Sequence, residues 1–138
     1  MFNSEASLVD SFIKTLKVKS PWGDITIGKE FNYQRGRTDL VGISNGGLVI
    51  AFEAKLTKWR RALQQAYRNR CFADLSYVVL PENSAKNALR NIEEFERRGV
   101  GICYIKDGHI NIIFDAYKEE PIQPWLKEKA YIYASGGI

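Results

Sequence analysis

Histidine is almost missing from this 138-residue chain, with His109 the only one. A histidine-rich zinc site is therefore excluded, as is a histidine-containing catalytic motif. A Ser-His-Asp triad would have to use His109, which has no nucleophile motif near it and reads as a surface residue of a hairpin. Cysteine is nearly as scarce: Cys71 and Cys103 lie far apart, in metal-poor surroundings. Both read as reduced thiols of a cytoplasmic protein. No apolar run is long enough to span a bilayer, so no membrane partner is expected. The opening MFNSEASLVDSFIKTL lacks the basic head and apolar block of a signal peptide. No P-loop or dinucleotide glycine pattern occurs: GISNGG at 42–47 follows a strand but leads into another strand rather than a helix. There is no internal repeat and no low-complexity segment.

Acids are absent from one stretch in particular. Lys55 to Arg70 carries Lys55, Lys58, Arg60, Arg61, Arg68 and Arg70 with no carboxylate among them. The formal net charge of +4 is modest. Its concentration here fits a phosphate-rich partner better than the total does, a solvated helix face being the bland alternative.

What remains is an ordinary globular mixture, 45% hydrophobic and 26% charged, the size of one domain and long enough for a core without disulfide or metal staples. Leu8, Val9, Phe12, Ile13 and Leu16 recur at helical spacing and predict a helix over 4–17, with Glu5 on the same stripe and therefore directed at the sheet. SPWGD at 20–24 breaks the chain. Strands are predicted at 25–34, 37–44 and 48–56, the last two joined by a turn at SNGG. Trp59, Leu63, Ala66 and Tyr67 predict a helix over 58–70, with Lys58, Arg61, Gln65 and Arg68 on a different face. A short buried strand over 75–81 is followed by a helix over 84–98, capped by Asn83 or Ser84 and ended by Gly99. VGICYI and HINIIF flank a second hairpin at Lys106-Asp107-Gly108. The expected fold is α/β, a central mixed sheet flanked by helices in the order αβββαβ, then a helix and a C-terminal hairpin. Residues 1–138 form one domain in this reading, with 118–138 a tail of unplaced structure.

Two charges intrude on the third strand. In LVIAFEAKL at 48–56, Leu48, Ile50, Phe52, Ala54 and Leu56 share one face, and Val49, Ala51, Glu53 and Lys55 the other. Both faces begin apolar, as in a strand covered on both sides, so the charges need partners. The preceding strand repeats the anomaly: Asp39 shares a face with Arg37, Val41 and Ile43, and aspartate is disfavoured in strands. Counting from Asn45-Gly46, Asp39 is six residues back and Glu53 seven forward. The hairpin thus brings them together within a bulge or a one-residue register uncertainty. Converging carboxylates repel, and a hard divalent cation would offset the repulsion. Oxygen ligands suit Mg²⁺, which takes one or two carboxylates plus phosphate oxygens. Lys55 could orient a water or steady charge on a phosphate.

Asp39, thirteen residues, then Glu53-Ala54-Lys55 and a helix carrying Gln65 resembles the PD-(D/E)XK nuclease superfamily, the restriction-endonuclease-like fold, and its Holliday-junction-resolvase-like branch. The resemblance covers roughly residues 4–81. It implies a metal-dependent nuclease hydrolysing phosphodiester bonds of DNA, the family's usual substrate, in preference to RNA. Asp39, Glu53 and the Ala54 carbonyl would hold Mg²⁺, or Mn²⁺ in its place. Lys55 would be the catalytic lysine, and Gln65 matches a glutamine on the second helix. Glu5 matches a first-helix glutamate that completes the metal site in many members, with Glu30 its rival. Lys58, Arg61 and Arg68 would grip the DNA backbone, with Arg35 and Arg37 near the same edge. Structure- or end-selective cutting is expected rather than sequence specificity. Thr38 stands where the superfamily's name has proline, a loose position. Many members are dimers, so a homodimer is compatible with the resemblance, and Trp125, Tyr131 and Tyr133 could serve its interface or the core. The alternative is an inactive relative that binds nucleic acid without cutting it.

Overall fold

The first helix begins where its sequence can cap it. In the computed structural model, which describes residues 2–34 and 36–136, α1 spans Glu5–Val18. The Ser7 N–H donates to Ser4 Oγ at 3.1 Å, and the Ser4 N–H donates to Ser7 Oγ at 3.2 Å. This reciprocal cap satisfies donors that a helix start otherwise leaves orphaned. Leu8, Phe12, Ile13 and Leu16 form the stripe that α1 buries against the sheet.

The sheet has six strands in sequence order: β1 (Ile25–Tyr33), β2 (Gly36–Ser44), β3 (Val49–Ala54), β4 (Leu75–Val79), β5 (Gly101–Lys106) and β6 (His109–Phe114). β1–β2, β2–β3 and β5–β6 are antiparallel, whereas β3–β4 and β4–β5 are parallel. Parallel neighbours require crossovers. α2 (Trp59–Arg68) and a 3₁₀ turn at Asn69–Cys71 supply the first, and α3 (Glu82–Leu89) with α4 (Ile92–Arg98) the second. The result is a mixed α/β architecture, a six-stranded sheet flanked by helices.

The strand at its centre is buried along its whole length. Ile50, Phe52 and Ala54 pack toward α1, where the Phe12 and Phe52 rings meet edge-on with centroids 5.0 Å apart. Val49 and Ala51 pack on the opposite face. Ala62, Leu63 and Ala66 of α2 join Ala85, Ala88 and Phe95 over β4 and β5 in a third cluster. Cys71 and Cys103 are buried thiols. Burial pushes the Cys103 thiol well above its ordinary range, which disfavours the reactive thiolate. His109 is exposed at the start of β6, as expected of a hairpin residue. Among the described residues no helix is long and apolar enough to cross a membrane.

Three features depart from the sequence reading. The helix expected over 84–98 is two helices, because Asn91 leaves helical geometry at φ −116° and ψ 36°. Asparagine competes for backbone hydrogen bonds, and here its Nδ2 donates to the Asn87 carbonyl. Neither Asn83 nor Ser84 caps α3; Pro81 occupies that position and Ser84 Oγ donates to the Leu56 carbonyl. The tail holds a helix, α5 (Pro124–Ser135), opened by Pro124, which has no N–H to leave unsatisfied. Leu126, Ala130 and Ala134 recur every four residues and pack with Phe31, Val41 and Ile43 of β1 and β2. The small alanines let α5 lie close: a Cβ on Gly28 would stand 3.0 Å from Ala134 Cα. Tyr133 packs on Phe31, whereas Trp125 and Tyr131 are largely exposed.

Candidate active site

The β2–β3 hairpin brings the two carboxylates beside each other. Its loop is three residues, Asn45-Gly46-Gly47, closed by Ser44 N–H to the Leu48 carbonyl at 3.0 Å. Gly47 takes the left-handed conformation at φ +86°, which such a loop requires. Asp39 is therefore seven residues before Gly46 and Glu53 seven after it. Pairing runs from Ile43↔Val49 to Leu40↔Phe52 and stops there, one residue short of Asp39 and Glu53.

Asp39 stands where the sheet opens on both sides. Toward β3, regular pairing ends at Leu40↔Phe52, and the Ala54 N–H donates to Asp39 Oδ2 at 2.9 Å instead of to a strand carbonyl. The N–H and C=O of one strand residue face the same neighbour, so the Ala54 carbonyl points to this opening too. Toward β1, Lys29↔Leu40 and Phe31↔Thr38 are paired but the step between them is not: Glu30 sits at φ +55°. That conformation is strained for glutamate and falls directly across from Asp39.

Glu53 is 1% exposed. Burial, and then the Asp39 charge beside it, push its carboxyl up to about 8, against the opposing pull of an Asn69 hydrogen bond and the Arg68 charge. Asn69, at the end of α2 and fully buried, donates from Nδ2 to Glu53 Oε1 at 2.9 Å. Its Oδ1 accepts from Tyr33 Oη at 2.6 Å and Thr38 Oγ1 at 2.9 Å. Burial also raises the Tyr33 phenol, keeping it a donor.

The remaining residues expected at the site are distributed unevenly. Lys55 lies one residue beyond β3, not within it, and its Nζ is 3.4 Å from Glu5 Oε1. Glu5 is exposed at the first turn of α1 rather than directed into the sheet, because the buried stripe starts one turn later at Leu8. It pairs with Lys55, and among the described residues no group of three or more His, Cys, Asp or Glu that could hold a metal ion is found. Glu30 instead pairs loosely with Arg37 at 4.0 Å. Glu5, Glu30, Arg37 and Asp39 line a groove of about 230 Å³. Gln65 is half-buried with its Oε1 lacking a hydrogen-bond partner among the described residues. Arg68 leaves the face shared by Lys58 and Arg61 and folds inward against Gly36, where a Cβ would stand 2.6 Å from Nη2. Lys58 and Arg61 are exposed, and with Trp59, Arg60 and Gln64 they line an open surface groove. Arg60 stacks on Trp59 at 4.3 Å and pairs with Glu94. Arg35 lies outside the described residues.

Asn69, Tyr33 and Thr38 escaped the sequence reading. Their partners are 16 to 36 residues away, and a buried amide leaves no periodic trace. Thr38 offered one signal, a hydroxyl at a strand position next to Asp39.

The oxygen donors present suit a hard cation. Asp39 and Glu53 converge and the Ala54 carbonyl faces them, while burial first and the Asp39 charge second hold the Glu53 carboxyl above its ordinary range. Two carboxylates are within the number Mg²⁺ ordinarily takes from a protein.

No family model and no curated protein matches this chain. Solved structures do. A protein of unknown function from Silicibacter pomeroyi superposes with a TM-score of 0.72 at 13% identity, over 98% of this chain and 86% of that one. A repair endonuclease from Pyrococcus abyssi superposes with a TM-score of 0.55 at 19% identity, over 77% of this chain and 48% of that one. The chain thus matches about half the length of the endonuclease. At such identities the likeness is one of fold alone, and the mixed α/β sheet flanked by helices is compatible with a nuclease-like fold.

Proposed function

We propose that this chain is a metal-dependent nuclease of the PD-(D/E)XK type that hydrolyses phosphodiester bonds of DNA. The observation that carries the reading is the meeting of Asp39 and Glu53 at the open end of β2 and β3, with Lys55 two residues on. Asp39, Glu53 and the Ala54 carbonyl would hold Mg²⁺ or Mn²⁺. Bound there, the ion supplies Lewis-acid polarisation of the scissile phosphate and lowers the pKa of an attacking water. Lys55 orients that water and balances charge on the phosphate, while Glu5 holds the ammonium in place. Lys58 and Arg61 grip the backbone without reading bases, with Arg37 at the groove beside Asp39. Contacts of this kind favour structure- or end-selective cutting, and DNA over RNA follows the family resemblance. The exposed Trp125 and Tyr131 of α5 are available to a homodimer interface.

Incubation with branched, nicked and single-stranded DNA in Mg²⁺, Mn²⁺ or EDTA tests the reading. Cleavage is expected with either metal, none in EDTA, and none in Glu53→Ala or Lys55→Ala. Cleavage that survives those substitutions overturns it. A second reading, a nucleic-acid-binding module without activity, draws on the engagement of Lys55 by Glu5. Binding without cleavage under every metal would select it.

A further inference from the structure

We propose that Asn69 is a positioning residue that fixes the Glu53 carboxylate for the cation, and that Thr38 and Tyr33 exist in this network to lock Asn69. The inference rests on the metal-dependent reading above.

The Asn69 side chain has little freedom. Its backbone is held on both sides: its N–H donates to the Gln65 carbonyl, and its own carbonyl accepts from Phe72 and Ala73 at 3.1 and 3.0 Å. Two hydroxyls from different strands, Tyr33 of β1 and Thr38 of β2, converge on Oδ1. An amide oxygen has two acceptor sites, so these two donors fill it. Turning the amide over would take its oxygen away from both hydroxyls and set it against the ionised Glu53 carboxylate that a cation requires. Nδ2 is thereby aimed at Glu53 Oε1. With Oε1 engaged, the other Glu53 oxygen is left for the Asp39 side, where the cation would sit. Outer partners that orient a ligating carboxylate in this way commonly carry 10- to 100-fold in metal affinity.

The network also accounts for the residue before Asp39. Thr38 is fully buried, so one strand presents the ligand Asp39 on one side and, through the adjacent residue, locks the partner of the ligand Glu53. A proline or valine at 38 would leave Oδ1 with Tyr33 alone.

The test is calorimetric titration of the whole protein with Mn²⁺ alone, in the absence of DNA. Asn69→Ala is expected to weaken Mn²⁺ binding about 10-fold or more, and Thr38→Val about 3- to 10-fold. Thr38→Ser, which keeps the hydroxyl, should bind like the parent. The Thr38→Val/Asn69→Ala pair should bind no more weakly than Asn69→Ala alone, since Thr38 acts through Asn69. In cleavage assays the Mn²⁺ needed for half-maximal rate should rise with KM for DNA unchanged. Should Asn69→Ala fail to fold, as judged by circular dichroism, Tyr33→Phe and Thr38→Val carry the same test. Undiminished Mn²⁺ binding in a folded Asn69→Ala, or additive losses in the pair, overturns the inference. If Asp39→Ala abolishes binding in that experiment, the metal site itself stands. If the parent protein binds no Mn²⁺, or Asp39→Ala binds it undiminished, the metal reading fails and this inference with it.

Discussion

Lys55 Nζ lies 3.4 Å from Glu5 Oε1, so the ammonium beyond the central strand is held by the first turn of the first helix, fifty residues earlier in the chain. The side chains are 19% and 48% exposed, which limits the pair's contribution to stability.

Glu5→Gln should therefore act on chemistry more than on folding. The melting temperature is expected to change little, with under ~1 kcal/mol at stake. The cleavage rate should fall about tenfold as Lys55 loses its position. Parallel melts and single-turnover assays check this. An unchanged rate would remove Glu5 from the site.

The Glu53 carboxyl supplies a pH dependence of stability. Its value rises from an ordinary 4.5 to about 8. Between those values the native protein holds a proton that the unfolded chain has lost, so stability falls as pH rises through that window. From about pH 5 to about pH 8 the loss is on the order of 3 kcal/mol. Glu53→Gln should abolish it, since its side-chain oxygen can still accept from Asn69. Urea unfolding of both proteins, free of divalent ions, makes the comparison. Identical slopes against pH would contradict the assignment.

Gly36 is the seat of the Arg68 guanidinium, at φ +153° with 2.6 Å to a hypothetical Cβ. Gly36→Ala should displace Arg68 and lower cleavage several-fold, with roughly 1 kcal/mol of backbone strain. Because Arg68 is folded against Gly36 and Tyr33, the salt dependence of DNA binding should stay as it was. A changed salt slope with normal cleavage would return Arg68 to the outer DNA-gripping face.

Lys58 and Arg61 are exposed cations free to meet phosphates. Replacing both with alanine should reduce the slope of log affinity against log salt by about 1.8, or about 0.9 for each phosphate no longer neutralised. Fluorescence anisotropy with labelled duplex across a salt series measures it. Arg60→Ala should change the slope less, because Arg60 is already paired with Glu94.

Much of this was legible in the chain. Period-two alternation in VIAFEA and the turn residues of SNGG were enough to bring Asp39 and Glu53 together, because strand geometry is local and a hairpin needs only its own loop. The one-residue uncertainty in register came from reading a two-residue turn; the loop has three residues, and Gly47 in the left-handed region decides that. The single helix expected over 84–98 failed at Asn91, whose preference for local hydrogen bonds outweighed an apolar stripe that runs through it. α5 was hidden because its buried face is mostly alanine, which gives a weak periodic signal, while Trp125 and Tyr131 lie outside.

The sequence by itself determined the pair of carboxylates, their strands and the basic helix that follows. These depend on side-chain periods and on short turns. Tertiary structure alone decided which groups attend them. Lys55 turns to Glu5 once β3 has ended, Arg68 folds under Gly36, and Asn69 reaches Glu53 from the end of α2. Each of these depends on segments brought together by the closing of the sheet and its crossovers. Such long-range contacts are chosen by packing and by the cost of leaving a buried polar group unpaired, and no spacing in the chain encodes them.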